Sequence, residues 1–342
     1  MQNRMMTEGP LHTQNGLLQE TGYATTPLKK YDRNRIQAPK RRIKEWDSYL
    51  ITNDSFALAL AISDFGCLGL DSIILMDMEK GESFSACRTT RFPLGKRGLP
   101  AGSAQGIARA IGRNYEMTFR AEEGKRQLYG HMYDFSPDSP LLFDLVLSAQ
   151  GGDSAVLVTP FEGNPNQFLY HQNTVCLPAE GRVIFHNREY IFSPATSFGM
   201  MDWGRGVLPR RNSRRSASAS GLIGGIPFGI NLGDDVTDPM QATGNMLFYG
   251  GKAHKLGAVR FETESAEEAL TPHLCHLADD AGRLELTFKL KLERPAGFPA
   301  RFAPIRLHQA MGQFSGKAML DDGRVLQISN LTGTLLDSLS RW

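Results

Sequence analysis

The densest chemistry in the chain lies in MDWGRGVLPRRNSRRSASASG, residues 201–221. Asp202 can exchange a proton or hold a cation. Trp203 beside it offers an apolar π face. Arg205, between two glycines, can grip a carboxylate through parallel N–H donors. Such a set fits a pocket wall, with the indole against an apolar ligand and the acid moving a proton or fixing the arginine. It fits equally a structural corner in which Trp203 packs into the core and Asp202 pairs with Arg205. The RRNSRR run that follows, with Arg210, Arg211, Arg214 and Arg215, reads as a mobile mouth loop, because Ser and Ala dominate what comes next. Its arginines would steer an anion toward a cavity.

Two further stretches carry acids beside apolar runs. RRIKEWDSYLI (41–51) sets Arg42, Lys44, Trp46 and Asp47 ahead of a strand-like segment, and AISDFGCLG (61–69) places Asp64 in an otherwise apolar one. A carboxylate there must be paired if buried, and Arg42, Lys44, Arg205 and Lys255 are the candidate partners.

Other patterns fail their structural tests. GLIGGIPFGINLG (221–233) lacks the strand-turn-helix setting of a dinucleotide fingerprint, and YGGKAHK (249–255) lacks the Ser or Thr of a P-loop. HLCHLADD (273–280) fits no standard zinc spacing and reads as a polar loop, so no metal site and no cofactor are expected. The four cysteines are scattered without a C-x-x-C pair, which argues against a disulfide scaffold. No G-x-S-x-G elbow is present. A net charge of +2 and no aromatic interleaving of the arginines argue against nucleic acid as a partner. The N-terminus has no apolar signal core and no run of eighteen apolar residues occurs, so no integral membrane segment is expected and the expected location is cytoplasmic.

The elements that must position these residues are strands. RLELTFKLKLE (283–293) alternates apolar and polar residues without a fault. GRVIFHNREYIF, NYEMTFRAEEGKRQLYGHMYDF and GKAMLDDGRVLQISNLTG read as hairpins turning at 186–188, 123–125 and 321–323. EKGESFSACRTTRF and GSAQGIARAIGRNY have room for a helical turn or two, but neither shows a capped amphipathic stripe. The 35 glycines and 18 prolines fall mostly between the strand-like runs. The pattern predicts an all-β, mainly antiparallel protein of two barrel or sandwich units. The expected division is a tail over residues 1–22, a first unit over 23–162 and a second over 163–342, cut where Pro, Gly and Asn cluster in TPFEGNPNQF.

Several of these stretches together resemble a bacterial family, the domain-of-unknown-function family 2804: RRIKEWDSYLI, AISDFGCLG, FGMMDWGRGVLP, SASGLIGGIPFGINLGDD, GKAHKLGAVRFE and GQFSGKAMLDDGRVLQISNLTG, in order over nearly the whole chain. DWGRG followed by GINLG is the most specific part. Where the family often carries aromatic residues between DWGRG and SASG, this chain has RRNSRR. The family is distantly similar to lipocalin-like tandem barrels that include carotenoid hydratases. The resemblance implies two packed lipocalin-like barrels and a hydrophobic or amphiphilic small-molecule ligand such as a lipid or isoprenoid. Trp46 and Trp203 would wall the site, Arg205 and Lys255 would meet an anionic head group, and Asn231 and Asn245 would face the ligand. An enzyme acting on such a ligand (hydratase, cyclase or isomerase) would use Asp202 or Asp64 as acid, its pKa raised by burial. A filled-barrel interaction protein and a glycan-binding protein are the remaining alternatives.

Overall fold

The computed structural model describes residues 2–122, 124–137, 139–149, 151–161, 163–234, 242–263, 274–298 and 305–341. Its helical elements among those residues are two single 3-10 turns, Arg33–Arg35 and Lys40–Arg42. The rest of the regular structure is strand, and the fold is the expected nearly all-β antiparallel one.

Two large sheets account for it. The first runs in the order Glu82–Arg91, Leu68–Asp77, Phe56–Asp64, Ile43–Thr52, Phe198–Val207, Asn164–Phe185, Ser139–Ser148, Lys125–Ser136, Tyr115–Glu122, Gly106–Gly112. It curls until Arg88, on one end strand, pairs with Asp134 toward the other end. The second runs from Lys252–Lys255 through Met246–Tyr249, Ile226–Gly233, Arg211–Ile223, Val325–Arg341, Ile305–Met319, Leu284–Phe298 and Leu274–Asp279 to Val259–Thr263. Its two end strands are neighbours in sequence, which brings its ends together as well. Each barrel-like unit encloses its own apolar core, the first around Leu60, Phe119, Leu145 and Trp203, the second around Phe228, Ile230, Phe288 and Phe314.

Alternation decides which side chains reach those cores. On Phe198–Val207, Met201, Trp203 and Val207 enter the first core, so Met200, Asp202 and Gly204 face the other way. On Arg211–Ile223, Ala217 and Ala219 enter the second core, so Arg214, Ser216, Ser218 and Ser220 face outward from it. These two outer faces pack on each other: the Ser220 hydroxyl accepts the backbone N–H of Cys176 on the first sheet. Dry contacts clamp them in two clusters. Val175 and Met200 meet Met246 and Phe248 in one, and Ala57 and Met76 meet Met311 in the other.

Several expectations are corrected. The segment expected as a tail over 1–22 is no free tail across its described residues 2–22: Met5 and Leu11 lie in the first core, and the Asn3 carbonyl accepts the Tyr23 N–H at 2.9 Å. The sheet changes at 208–210, and residues 164–207 belong to the first sheet. The Pro/Gly/Asn cluster near 162 marks a hairpin between Ala155–Phe161 and Asn164–Phe185, because turn residues serve hairpins and domain borders alike. The two segments given room for helical turns are the strands Glu82–Arg91 and Gly106–Gly112. RRNSRR is no loop either. It begins a 13-residue strand paired to Val325–Arg341, with Arg211 opposite Arg341. HLCHLADD is largely the strand Leu274–Asp279, with Cys275 and Leu277 inward and His276 outward; His273 lies outside the described residues. The 283–293 alternation holds until a bulge at Leu290/Leu292, which turns Leu292 from the second core toward Met311 and Met76 between the sheets.

Candidate functional site

Next to these apolar contacts, which meet at Leu50, the facing surfaces turn polar. Asp202 sits there, at mid-strand, opposite Ser48 on one neighbouring strand and Asn173 on the other. One register step away, Trp46, Gly204 and His171 form a row across the same three strands. Gly204 has no side chain, and the Trp46 indole lies across it. A Cβ there would stand 2.5 Å from Trp46 Cη2 and closer still to Cζ2 and Cε2. The glycine thus lets the indole reach sideways, and Trp46 Nε1–H donates to Asp202 Oδ1 at 2.6 Å. From the opposite side His171 Nε2 lies 2.8 Å from the same oxygen. Asn173 Nδ2 stands 3.4 Å from His171 Nδ1, on the far side of the ring from Asp202.

Oδ1 therefore has two donors, while Oδ2 has no hydrogen-bond partner among the described residues. Burial acts to raise the Asp202 pKa, as expected from sequence. The pull and hydrogen bond of His171, the charge of Arg214 and the Trp46 N–H outweigh it and hold the carboxyl at about 2. This reverses the direction expected for a buried acid: Asp202 is a carboxylate at neutral pH and a proton acceptor. Its side chain lies between the two sheets with 39% of its surface open to water, which describes a recess, neither a dry core nor an open face. Ser48, Ser216, Ser218 and Arg214, all partly exposed, share this polar zone between the sheets. Leu169 and Leu208 pack with Trp46 beside it.

The remaining sequence candidates lie elsewhere. Trp203 faces the first core, edge-on to Tyr170 and Tyr31 with the Arg205 guanidinium over its ring. Arg205 is fully buried behind the recess. It binds Asp47 Oδ1 at 2.6 Å and the carbonyls of Trp46, Gly204 and Pro100. Its partner is Asp47, not Asp202, because the two neighbours in sequence point to opposite faces of the strand. Asp64 is also fully buried: it accepts the backbone N–H groups of Gly66 and Gly95, and Lys44, one of the expected basic partners, lies close enough to act on its charge. Asn231 donates to the Gly244 carbonyl. Asn245 ties the Gly233 N–H to the Gly257 carbonyl. Lys255 donates to Thr243 and to the carbonyls of Asn245 and Leu256, over the Tyr23 ring. Of the expected set, the structure brings together Trp46 and Asp202. It adds His171, Asn173 and Arg214. The alternation in LYHQN, with Tyr170 and Gln172 inward and His171 and Asn173 outward, was the available signal for two of them.

Among the described residues no group of three or more His, Cys, Asp or Glu side chains is arranged to hold a metal ion, and no helix is long and apolar enough to cross a membrane.

The molecule is thus a tandem barrel-like β protein with a polar recess, centred on one ionised aspartate, between its two sheets. Residues 2–342 match the family described as a domain of unknown function (DUF2804), and the chain belongs to that family. No curated protein matches it in sequence. Among solved structures it is similar to kievitone hydratase from Nectria haematococca, at 14% identity and a TM-score of 0.51 over 92% of this chain and 96% of that one. It is also similar to CghA, at 12% identity and a TM-score of 0.48 over 97% of each. At 14% identity the first likeness supports the fold, in agreement with the lipocalin-like tandem barrels expected from sequence.

Proposed function

We propose that the protein binds a small amphiphilic molecule in the recess between its sheets, with a hydrogen-bond donor of that molecule on Asp202 Oδ2. The observation that carries this reading is the state of Asp202. It is partly exposed, ionised, fixed through Oδ1 by Trp46 and His171, and open through Oδ2. A carboxylate fixed at one oxygen and free at the other is preorganised for a donor, and its surroundings weaken competition from bulk water. The Trp46 ring, Leu169 and Leu208 supply apolar surface beside it.

A second reading, proton transfer on the bound molecule, is favoured by the His171–Asp202 pair. A carboxylate at about 2 has no proton to give at neutral pH, so Asp202 would take the part of proton acceptor, a weak one at that pKa. His171, bonded to Oδ1, would hold the carboxylate in place. This fits isomerisation or the proton-abstracting step of a dehydration, in place of the acid role for Asp202 expected from sequence.

The test is native purification followed by solvent extraction and mass spectrometry. Wild-type protein should release a small molecule in near-stoichiometric amount. A Ser218→Trp variant, which places a ring in the recess, should release none. Empty extracts from both, or equal release from both, would refute the reading. With the compound in hand, Asp202→Asn separates binding from turnover.

A further inference from the structure

Arg214 is the feature of this region that stability does not explain. It stands on the recess face of its strand, in the same row of outward residues as Ser216, Ser218 and Ser220. Its Nε is buried without a hydrogen-bond partner, and its guanidinium makes no ion pair among the described residues. Its neighbour Arg215 is different: it points away and pairs with Asp234 at 3.1 Å. Arg214 lies close enough to Asp202 to act on its charge, yet the two form no ion pair. The two opposite charges act on each other from opposing sheets without forming an ion pair, although a shorter separation would favour them. Their backbones, on different sheets clamped by apolar contacts, hold them apart.

A basic pair lies toward one end of the recess. Arg42 donates to the Leu208 carbonyl at 2.5 Å, and Leu208 packs with Trp46. Arg210 is close enough to Arg42 to oppose its charge. An anion approaching from that end meets positive potential before it reaches Arg214.

We infer that the ligand of the recess is an acid: it presents an anionic group to Arg214 and a hydroxyl or amine donor to Asp202. This rests on the recess being the binding site. An unpaired guanidinium with a partly buried fork suits a carboxylate, sulfonate or phosphate ester through two N–H donors. A neutral ligand would leave Arg214 desolvated and unpaired, which is costly. The gap between Arg214 and Asp202 acts as a ruler, selecting molecules whose acidic group and donor span it.

Two dyes that share a ring system test this. Anilinonaphthalenesulfonate carries an acid and an amine N–H, and phenylnaphthylamine is the same framework without the acid. Binding is read from dye fluorescence on titration into wild type, Arg214→Leu, Arg214→Lys and Ser218→Trp. Circular dichroism and urea unfolding confirm that each variant is folded. Arg214→Leu should weaken the sulfonate at least about tenfold, the loss expected for a charge-assisted contact, and leave phenylnaphthylamine within about twofold. Arg214→Lys, which keeps the charge, should retain part of the sulfonate affinity. Equal effects on both dyes, or no effect on either, would overturn the acid assignment while leaving the recess as a binding site. Failure of wild type to bind either dye, or unchanged binding of both by Ser218→Trp, would overturn the recess reading itself.

Discussion

Gly204→Ala is the smallest change that tests the geometry around Asp202. The position is in a strand and its φ is ordinary, so alanine is compatible with the backbone and by itself should stabilise by about 0.5–1 kcal/mol. The new Cβ would sit 2.5 Å from Trp46 Cη2 and nearer to two other ring carbons, whereas ordinary contact begins at 3.4 Å. The indole must therefore withdraw by roughly 1 Å or more. Its hydrogen bond to Asp202, at 2.6 Å, has about that much to give before it is lost. A hydrogen bond to a charged group contributes about 1.5–3 kcal/mol, and a ring pushed off its rotamer costs about 0.5–1.5. The net expectation is a destabilisation of about 2 kcal/mol. Urea unfolding of Gly204→Ala, Trp46→Ala and the double variant measures it as a coupling energy. With the indole gone, Gly204→Ala should be neutral or stabilising, which gives a coupling of about 2–3 kcal/mol. Additive effects would refute the placement of the indole across Gly204 and, with it, the fixing of Asp202 Oδ1.

The other predictions follow from the same assignments. Arg205→Met should cost about 3–5 kcal/mol in urea unfolding, because it leaves the Asp47 carboxylate buried without its partner. Wild-type stability with lost ligand binding would instead restore Arg205 as a head-group contact. Asp202 has a folded pKa of about 2, below the ordinary 3.8, so its contribution to stability is present above about pH 4 and is lost as pH falls through about 2. Solvent screening of a side chain that is 39% exposed keeps that contribution below about 1 kcal/mol. The stability gap between wild type and Asp202→Asn should accordingly shrink between about pH 5 and pH 2, and a gap that widens on acidification would contradict the pairing. Deleting residues 2–12 removes Met5 and Leu11 from the first core and should lower unfolding stability by about 4 kcal/mol, at about 2 for each buried side chain. An unchanged urea midpoint would show that the segment is a dispensable tail.

Local pattern by itself determined the strands. Period-two alternation and turn chemistry depend on neighbours one to four residues away. That is why the hairpins at 186–187 and 321–323 stand where GRVIFHNREYIF and GKAMLDDGRVLQ place them, with His186 and Asn187 both in the left-handed conformation that the tight turn needs. The prominence of Trp46 and Asp202 was legible too, because an indole and a carboxylate in strand-like runs ask for partners. Which partners they have was decided only by the tertiary structure. Trp46 meets Asp202 across 156 residues and Arg205 meets Asp47 across 158, through strand pairings that no local pattern encodes. Face parity then separates sequence neighbours: Asp202 enters the recess while Trp203 and Arg205 enter the core, although DWGRG reads as one motif. The same holds for charge. Burial alone predicts a raised pKa at Asp202, and its sign reverses only because His171 and Trp46 arrive from adjacent strands and Arg214 from the opposing sheet. Alternation says that a strand has two faces. Packing alone says what each face meets, because that depends on which strands pair and which sheets stack.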